Sequence, residues 1–117
     1  MMFNLKQMSV STAECREFKV TLKHAGKYPA ASMGHNWVLT KTADYMAVAG
    51  AAPAAGLMNE YVPPDDARVL AASKIVGGGE ETSVTVDLSK LQAGEDYTYF
   101  CSFPAHFAMM KGKLNVH

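Results

Sequence analysis

The chain has 117 residues, with eleven Lys and Arg balanced by eleven Asp and Glu, and at about 100–200 residues per domain this length holds a single folding unit over residues 1–117. Zero net charge and a pI near 6.9 exclude the basic footprint with which nucleic-acid binders neutralise phosphates. Two cysteines, taken as a count in a small domain, suggest one disulfide in an oxidising compartment.

Phe18, Val20 and Leu22 alternate with Lys19, Thr21 and Lys23, the period of a strand with one buried face. Residues 36–40 form a second, shorter run rich in Val and Leu. Residues 41–57 break the pattern: they are rich in Ala and Met, with Tyr45, Met46 and Ala49 near helical spacing, and predict a short helix beside the sheets. Pro53 and the neighbouring glycines predict that its second half is irregular. Residues 68–76 read as another strand. Val84, Val86 and Leu88 alternate with Thr85, Asp87 and Ser89; Tyr97, Tyr99 and Cys101 alternate with Thr98, Phe100 and Ser102; Leu114 and Val116 follow Gly112. Each reads as a strand with one buried face, and Ala25-Gly26-Lys27, Pro63-Pro64-Asp65-Asp66, Gly77-Gly78-Gly79 and Gln92-Ala93-Gly94 punctuate them.

Several short strands separated by such turns predict an all-β sandwich or barrel. Leu91, Gly94 and Tyr97 have the spacing of a tyrosine corner, in which the phenol bonds to backbone a few residues upstream. Residues 47–58, the longest weakly polar stretch, are broken by Gly50, Pro53 and Gly56 and fall short of the ~20 residues that span a bilayer. Met1-Met2-Phe3-Asn4-Leu5-Lys6 has no secretion-signal pattern, so the expectation is a cytoplasmic protein or one whose leader has been removed.

The chemistry concentrates in residues 101–110, Cys-Ser-Phe-Pro-Ala-His-Phe-Ala-Met-Met. A thiol ends a strand, an imidazole follows in a loop turned by Pro104, and the thioether of Met110 closes it. Thiolate, imidazole and a weak axial methionine are the donors of a copper electron-transfer site. The second imidazole such a site needs is available at His35, beside a distant strand that fixes it independently of the loop. Asn36, next to it, is placed to hydrogen-bond to the Cys101 loop and steady the ligands, as are Ser102 and Phe103 within the loop. Taken singly, each residue also reads as core or as a satisfied polar group. Four rivals remain for the set: a structural zinc site, for which methionine is a poor ligand; a Cys101–His106 nucleophile and base, which leaves Met110 unexplained; a copper carrier without redox turnover; and one domain cut from a multicopper enzyme.

From about Phe3 to the C-terminus the sequence resembles the azurins, small blue-copper proteins of the cupredoxin group, above all in Met33-Gly34-His35-Asn36-Trp37-Val38-Leu39, Pro64-Asp65-Asp66-Ala67-Arg68-Val69 and residues 101–112. The resemblance implies a Greek-key β-sandwich with one helical flap. It implies one copper ion held by His35, Cys101 and His106, with Met110 and the Gly34 carbonyl at long axial distances. Trp37 matches a buried indole of the family. The implied function is one-electron transfer in the bacterial periplasm, cycling Cu(II) and Cu(I) and not catalysing a reaction, with electrons passing through the exposed edge of His106. Met33, Pro53, Ala54, Phe103, Ala105, Phe107 and Met109 are expected to surround that port as an apolar patch suited to a small, transient interface with redox proteins such as periplasmic cytochromes or reductases.

The departures from the pattern are also informative. Azurins carry a longer N-terminus whose cysteine pairs with the one matching Cys15, so Cys15 is expected to be a free thiol or a crosslink between two otherwise monomeric copies. A lost disulfide typically costs ~2–5 kcal/mol. Ala72 stands where many azurins have a surface histidine, and Ala25 follows His24 where a proline is common. Ala105 replaces a glycine common before the loop histidine, a substitution that strains the loop if the position needs a positive φ. His24 is expected either near the site or as a strand-end histidine.

Overall fold

The computed structural model describes residues 3–4, 6–12, 16–27 and 33–117. Alternation of apolar and polar residues places seven strands among them: β1 (Gln7–Val10), β2 (Glu17–Lys23), β3 (Val38–Lys41), β4 (Ala71–Ala72), β5 (Glu81–Asp87), β6 (Asp96–Phe100) and β7 (Lys111–Val116). They form a five-stranded sheet in the order β1-β7-β6-β3-β4 and a two-stranded sheet of β2 and β5. β1 was not anticipated, because Met8 and Val10 give only two apolar positions; it is held by parallel pairing with β7, from Gln7 opposite Lys113 to Val10 opposite Val116. The expected Phe18–Leu22 strand is β2, antiparallel to β5 along its whole length.

The principal core lies between the sheets, where Val20 and Val86 meet Trp37, Leu39, Tyr97, Tyr99 and Leu114. A smaller cluster packs Val38 and Phe100, on the outer side of the larger sheet, against Tyr45, Val48 and Ala49 of the helix α1 (Tyr45–Ala55). This corrects the expectation that β6 has one buried face. Its residues Tyr97 to Phe100 are all buried, because it is a central strand with the core on one side and α1 on the other.

Two further expectations are corrected. The helix runs through Pro53 to Ala55. Proline there lies in the last turn, so its missing N–H removes a single intrahelical bond and its fixed φ is already helical; Gly56, at φ 75, ends the helix instead. The strand expected over residues 68–76 pairs with β3 only at Ala71 and Ala72. Its beginning is drawn into a local turn, where the Asp66 carboxylate accepts from both the backbone N–H and the guanidinium of Arg68, and its end makes an isolated bridge to His35.

Trp37 is 1% exposed and stacks on Tyr99 with centroids 5.5 Å apart; its Nε1 has no hydrogen-bond partner among the described residues. The Tyr99 ring in turn lies over Gly112, where a Cβ would come within 2.2 Å of it. The tyrosine corner is present, with the Gln92 N–H donating to the Tyr97 hydroxyl at 2.8 Å and Gly94 at φ 85 making the turn. No helix among the described residues is long and apolar enough to cross a membrane. Cys15 and its expected crosslink lie outside the described residues.

Tyr97→Phe removes one hydrogen bond and keeps the packing, so it should lower stability by about 1 kcal/mol. The single, buried Trp37 reports unfolding as a red shift of its emission, and urea titrations followed this way check the value.

Candidate metal centre

Cys101 directly follows β6. The residues after it turn back into β7, and the ladder between the two strands continues one step further, with the Cys101 N–H donating to the Met110 carbonyl at 2.9 Å. Inside the loop, His106 N–H donates to Phe103 O at 2.9 Å and Met110 N–H to His106 O at 2.9 Å. The loop is therefore braced at both ends and across its middle. His35 comes from the segment just before β3, the neighbour of β6 in the larger sheet, where its N–H and C=O exchange bonds of 3.0 and 2.9 Å with Val76.

These elements bring three of the expected ligands together. The donor atoms of His35, Cys101 and His106 all lie within 4.8 Å of one another, with Cys101 Sγ 3.9 Å from His35 Nδ1 and 3.7 Å from His106 Nδ1. For an ion bonded at about 2.0 Å to nitrogen and 2.3 Å to sulfur, such spacings would correspond to nitrogen–metal–sulfur angles of about 120° and 130°. The site thus fits the trigonal His₂Cys set that suits copper. Met110 is 2% exposed and sits in the same cluster as Cys101.

Asn36 joins the two halves of the site. It is fully buried; its Oδ1 accepts from the Ser102 N–H at 2.8 Å and its Nδ2 donates to Ser102 Oγ at 2.8 Å. The Phe103 ring stacks on His106 with centroids 4.6 Å apart. His24 proves to be more than a strand-end residue. It is buried and stacks on His35 at 4.2 Å, with Gly26 N–H donating to its Nδ1, so that Nε2 donates to the Met33 carbonyl at 2.7 Å. Gly26 is required there, because a Cβ would meet the His24 ring at 2.6 Å.

Electrostatics favours an uncharged, metal-ready site. Burial pushes the Cys101 thiol up to about 11, against the opposing pull of the Asn36 and Phe103 N–H groups on its sulfur. Burial, reinforced by the neighbouring His24 and His106, lowers His35 to about 4, and burial likewise lowers His106; the Gly34 carbonyl, hydrogen-bonded to both imidazoles, opposes each shift.

The expected patch is only partly exposed. Pro53, Ala54, Ala105 and Met109 are exposed, and Met33 and Phe107 are half-buried. Phe103 is a correction: it is 8% exposed, because its ring is used inside the loop, between His106 and the edge of Tyr61. His106 itself keeps only 3% of its surface exposed, a smaller edge than expected. Ala105 has φ 72, so the loop retains a left-handed turn that costs a non-glycine residue roughly 1–2 kcal/mol. Glu60 and Tyr61, which also touch the site's supports, carried no signal in the sequence beyond proximity to the turn at Pro63-Pro64.

A two-sheet sandwich with a His₂Cys cluster at the end of its central strand, Cys101 and His106 buried and His35 half-buried, defines the cupredoxin class of copper protein. The whole chain, residues 1–117, matches the family "Copper binding proteins, plastocyanin/azurin family". It is 58% identical over 116 residues to Azurin-1 of Alcaligenes xylosoxydans xylosoxydans, covering 99% of this chain and 89% of that one. It is 57% identical to the azurin of Bordetella pertussis, covering 99% and 77%. Among solved structures, an azurin (Az-iso2) from the obligate methylotroph Methylomonas sp. strain J superposes with a TM-score of 0.93 at 47% identity, covering 99% of this chain and 89% of that one.

The chain belongs to the plastocyanin/azurin family of copper-binding proteins. It is a blue-copper electron-transfer protein, with His35, Cys101 and His106 positioned for one copper ion.

With the thiol protonated and both histidines neutral at pH 7, binding a divalent ion should release one proton, from Cys101. Affinity for Zn(II), a redox-silent probe, should therefore rise about tenfold from pH 7 to pH 8. Calorimetry in buffers of different ionisation enthalpy counts the protons; a count of zero or two contradicts the assignment.

Proposed function

We propose that this protein shuttles single electrons between periplasmic redox proteins, on a copper ion that His35, Cys101 and His106 would hold with Met110 and the Gly34 carbonyl as further, weaker donors. The observation that carries this reading is the spacing of the three strong donors, 3.7 and 3.9 Å from sulfur to each nitrogen, within backbone that is hydrogen-bonded on both sides. Copper bound there supplies a Cu(II)/Cu(I) couple. The chain's own contribution is to keep the donors in place and water away, so that little has to move when the charge changes. Met110, buried in the same cluster as Cys101, and the Gly34 carbonyl, which opposes the pKa shift of both imidazoles, support their place beside the three strong donors. Asn36 and Ser102 steady the sulfur, and the ring of Phe103 steadies His106.

His106 is the port through which electrons pass, and Met109, 57% exposed, is the most exposed of the large apolar side chains in the docking patch with Ala105, Pro53, Ala54, Met33 and Phe107. A neutral chain docking through such a surface suits brief encounters with cytochromes or reductases. The 117 residues act as one domain, mainly monomeric, with Cys15 available for a crosslink. No catalytic activity is assigned.

Adding Cu(II) to the purified protein should give an intense blue thiolate-to-copper band, bleached by ascorbate and restored by an oxidant. Cys101→Ser should abolish it, whereas Cys15→Ser should leave it. A colourless protein that retains one tightly bound zinc would overturn the electron-carrier reading, and a band that bleaches but cannot be restored would favour a copper carrier.

Met109→Glu tests the patch. Two like charges then face each other when two copies meet, and self-exchange should slow by roughly tenfold or more with the blue band unchanged. An unaltered rate would place docking elsewhere.

A further inference from the structure

We propose that the dipeptide Glu60–Tyr61 is a positioning brace for the metal centre, supporting the surroundings of all three strong donors from one short segment. The proposal rests on the blue-copper reading above. Both residues are left-handed, Glu60 at φ 57 and Tyr61 at φ 54, a conformation that non-glycine residues hold only where neighbouring contacts enforce it and one that concentrates at functional sites. The turn around them is closed by Glu60 N–H to Leu57 O at 2.9 Å, Tyr61 N–H to Gly56 O at 3.0 Å and Val62 N–H to Asn59 O at 3.0 Å. The segment is therefore a stiff platform.

Three arms leave this platform. The Glu60 carboxylate accepts from the Ile75 N–H at 2.7 Å, one residue before Val76, whose backbone is paired with that of His35. The Glu60 carbonyl accepts from Asn36 Nδ2 at 3.1 Å, and Asn36 binds Ser102, the neighbour of Cys101, through both its amide atoms. The Tyr61 ring meets Phe103 edge-on at 5.1 Å, and Phe103 stacks on His106. The carboxylate, the carbonyl and the ring thus reach the supports of His35, Cys101 and His106 respectively. Neither residue contributes an identified ligand atom, so each acts through others.

A segment of this kind limits how far the donors relax when the ion's charge changes, and loosening it should alter both the ligand field and the rate of electron exchange. Glu60→Ala tests the first arm cleanly. Alanine suffers the same left-handed strain as glutamate, so only the carboxylate's bond to Ile75 is lost. The parent's blue band is measured first; its absence would sink the electron-carrier reading, while the comparison of variants judges the brace alone.

In Glu60→Ala the visible and paramagnetic-resonance spectra of Cu(II) should shift, and self-exchange and Cu(II) affinity should each fall about tenfold or more, with Trp37 emission still that of the folded protein. Glu60→Gln, whose amide oxygen can still accept from Ile75, should return all of these to within about twofold of the parent. Parent-like spectra and rates in Glu60→Ala would overturn the brace. So would equal losses in both variants, because the effect would then belong to the charge and not to the hydrogen bond. Should Glu60→Ala fail to fold, Tyr61→Leu decides: slowed exchange with native Trp37 emission supports the proposal, and a parent-like rate overturns it.

Discussion

A buried sulfur that must become an anion is the constraint around which this molecule is arranged. Cys101 is fully buried at the end of the central strand, and among the described residues no Lys or Arg side chain is bonded to it. An isolated charge in such a place is costly enough that the group stays neutral instead, and its raised pKa expresses that. The thiolate becomes affordable when a metal ion supplies the opposite charge. Two backbone N–H groups, from Asn36 and Phe103, are already turned toward the sulfur, and each belongs to a segment tied down by further bonds.

The same burial acts in the opposite chemical sense on the histidines. Removing water disfavours their charged forms, so His35 and His106 offer lone pairs at neutral pH instead of competing protons. One dry environment thus prepares an acid that needs a metal in order to ionise and two bases that are already free to bind one. The protein accepts local strain to hold that geometry, visible in the left-handed Ala105 within the ligand loop and in Glu60 and Tyr61 beside it. Rigid hydrogen-bonded surroundings keep these conformations in place.

The repeated alternation in residues 18–22, 84–88 and 97–101 was enough to identify strands, because a half-buried strand writes its period directly into its side chains. That pattern failed where burial is two-sided or pairing is short. β6 showed Tyr97, Tyr99 and Cys101 alternating with Thr98, Phe100 and Ser102, yet its second face is covered too, Phe100 packing against α1 and Thr98 hydrogen-bonding to Thr42 just before it. β1 has only four residues and depends on β7 for its existence. Pro53 suggested a helix break, but its effect depends on how many turns follow it, and here the helix ends two residues later. In the site, Cys101, His106 and Met110 were legible from local spacing, and His35 from the donor that this set lacked. His24 was legible only as one of two alternatives, and Glu60 not at all, since their roles come from a ring stacked on another ring and a carboxylate reaching across to a distant amide.

By itself the sequence determined the chemistry on offer, a soft sulfur, two imidazoles and a thioether in a chain whose strand periods allow a sandwich, together with the family that this combination marks. Tertiary structure alone decided the distances between those donors, their burial, and which apolar side chains remain at the surface. Phe103 illustrates the division. Its composition suited an exposed docking patch equally well, but packing between Tyr61 and His106 turned it inward. Donor type is a property of single residues and can be read one letter at a time. Spacing, solvent access and pKa arise only when segments far apart in sequence exclude water from the same small volume.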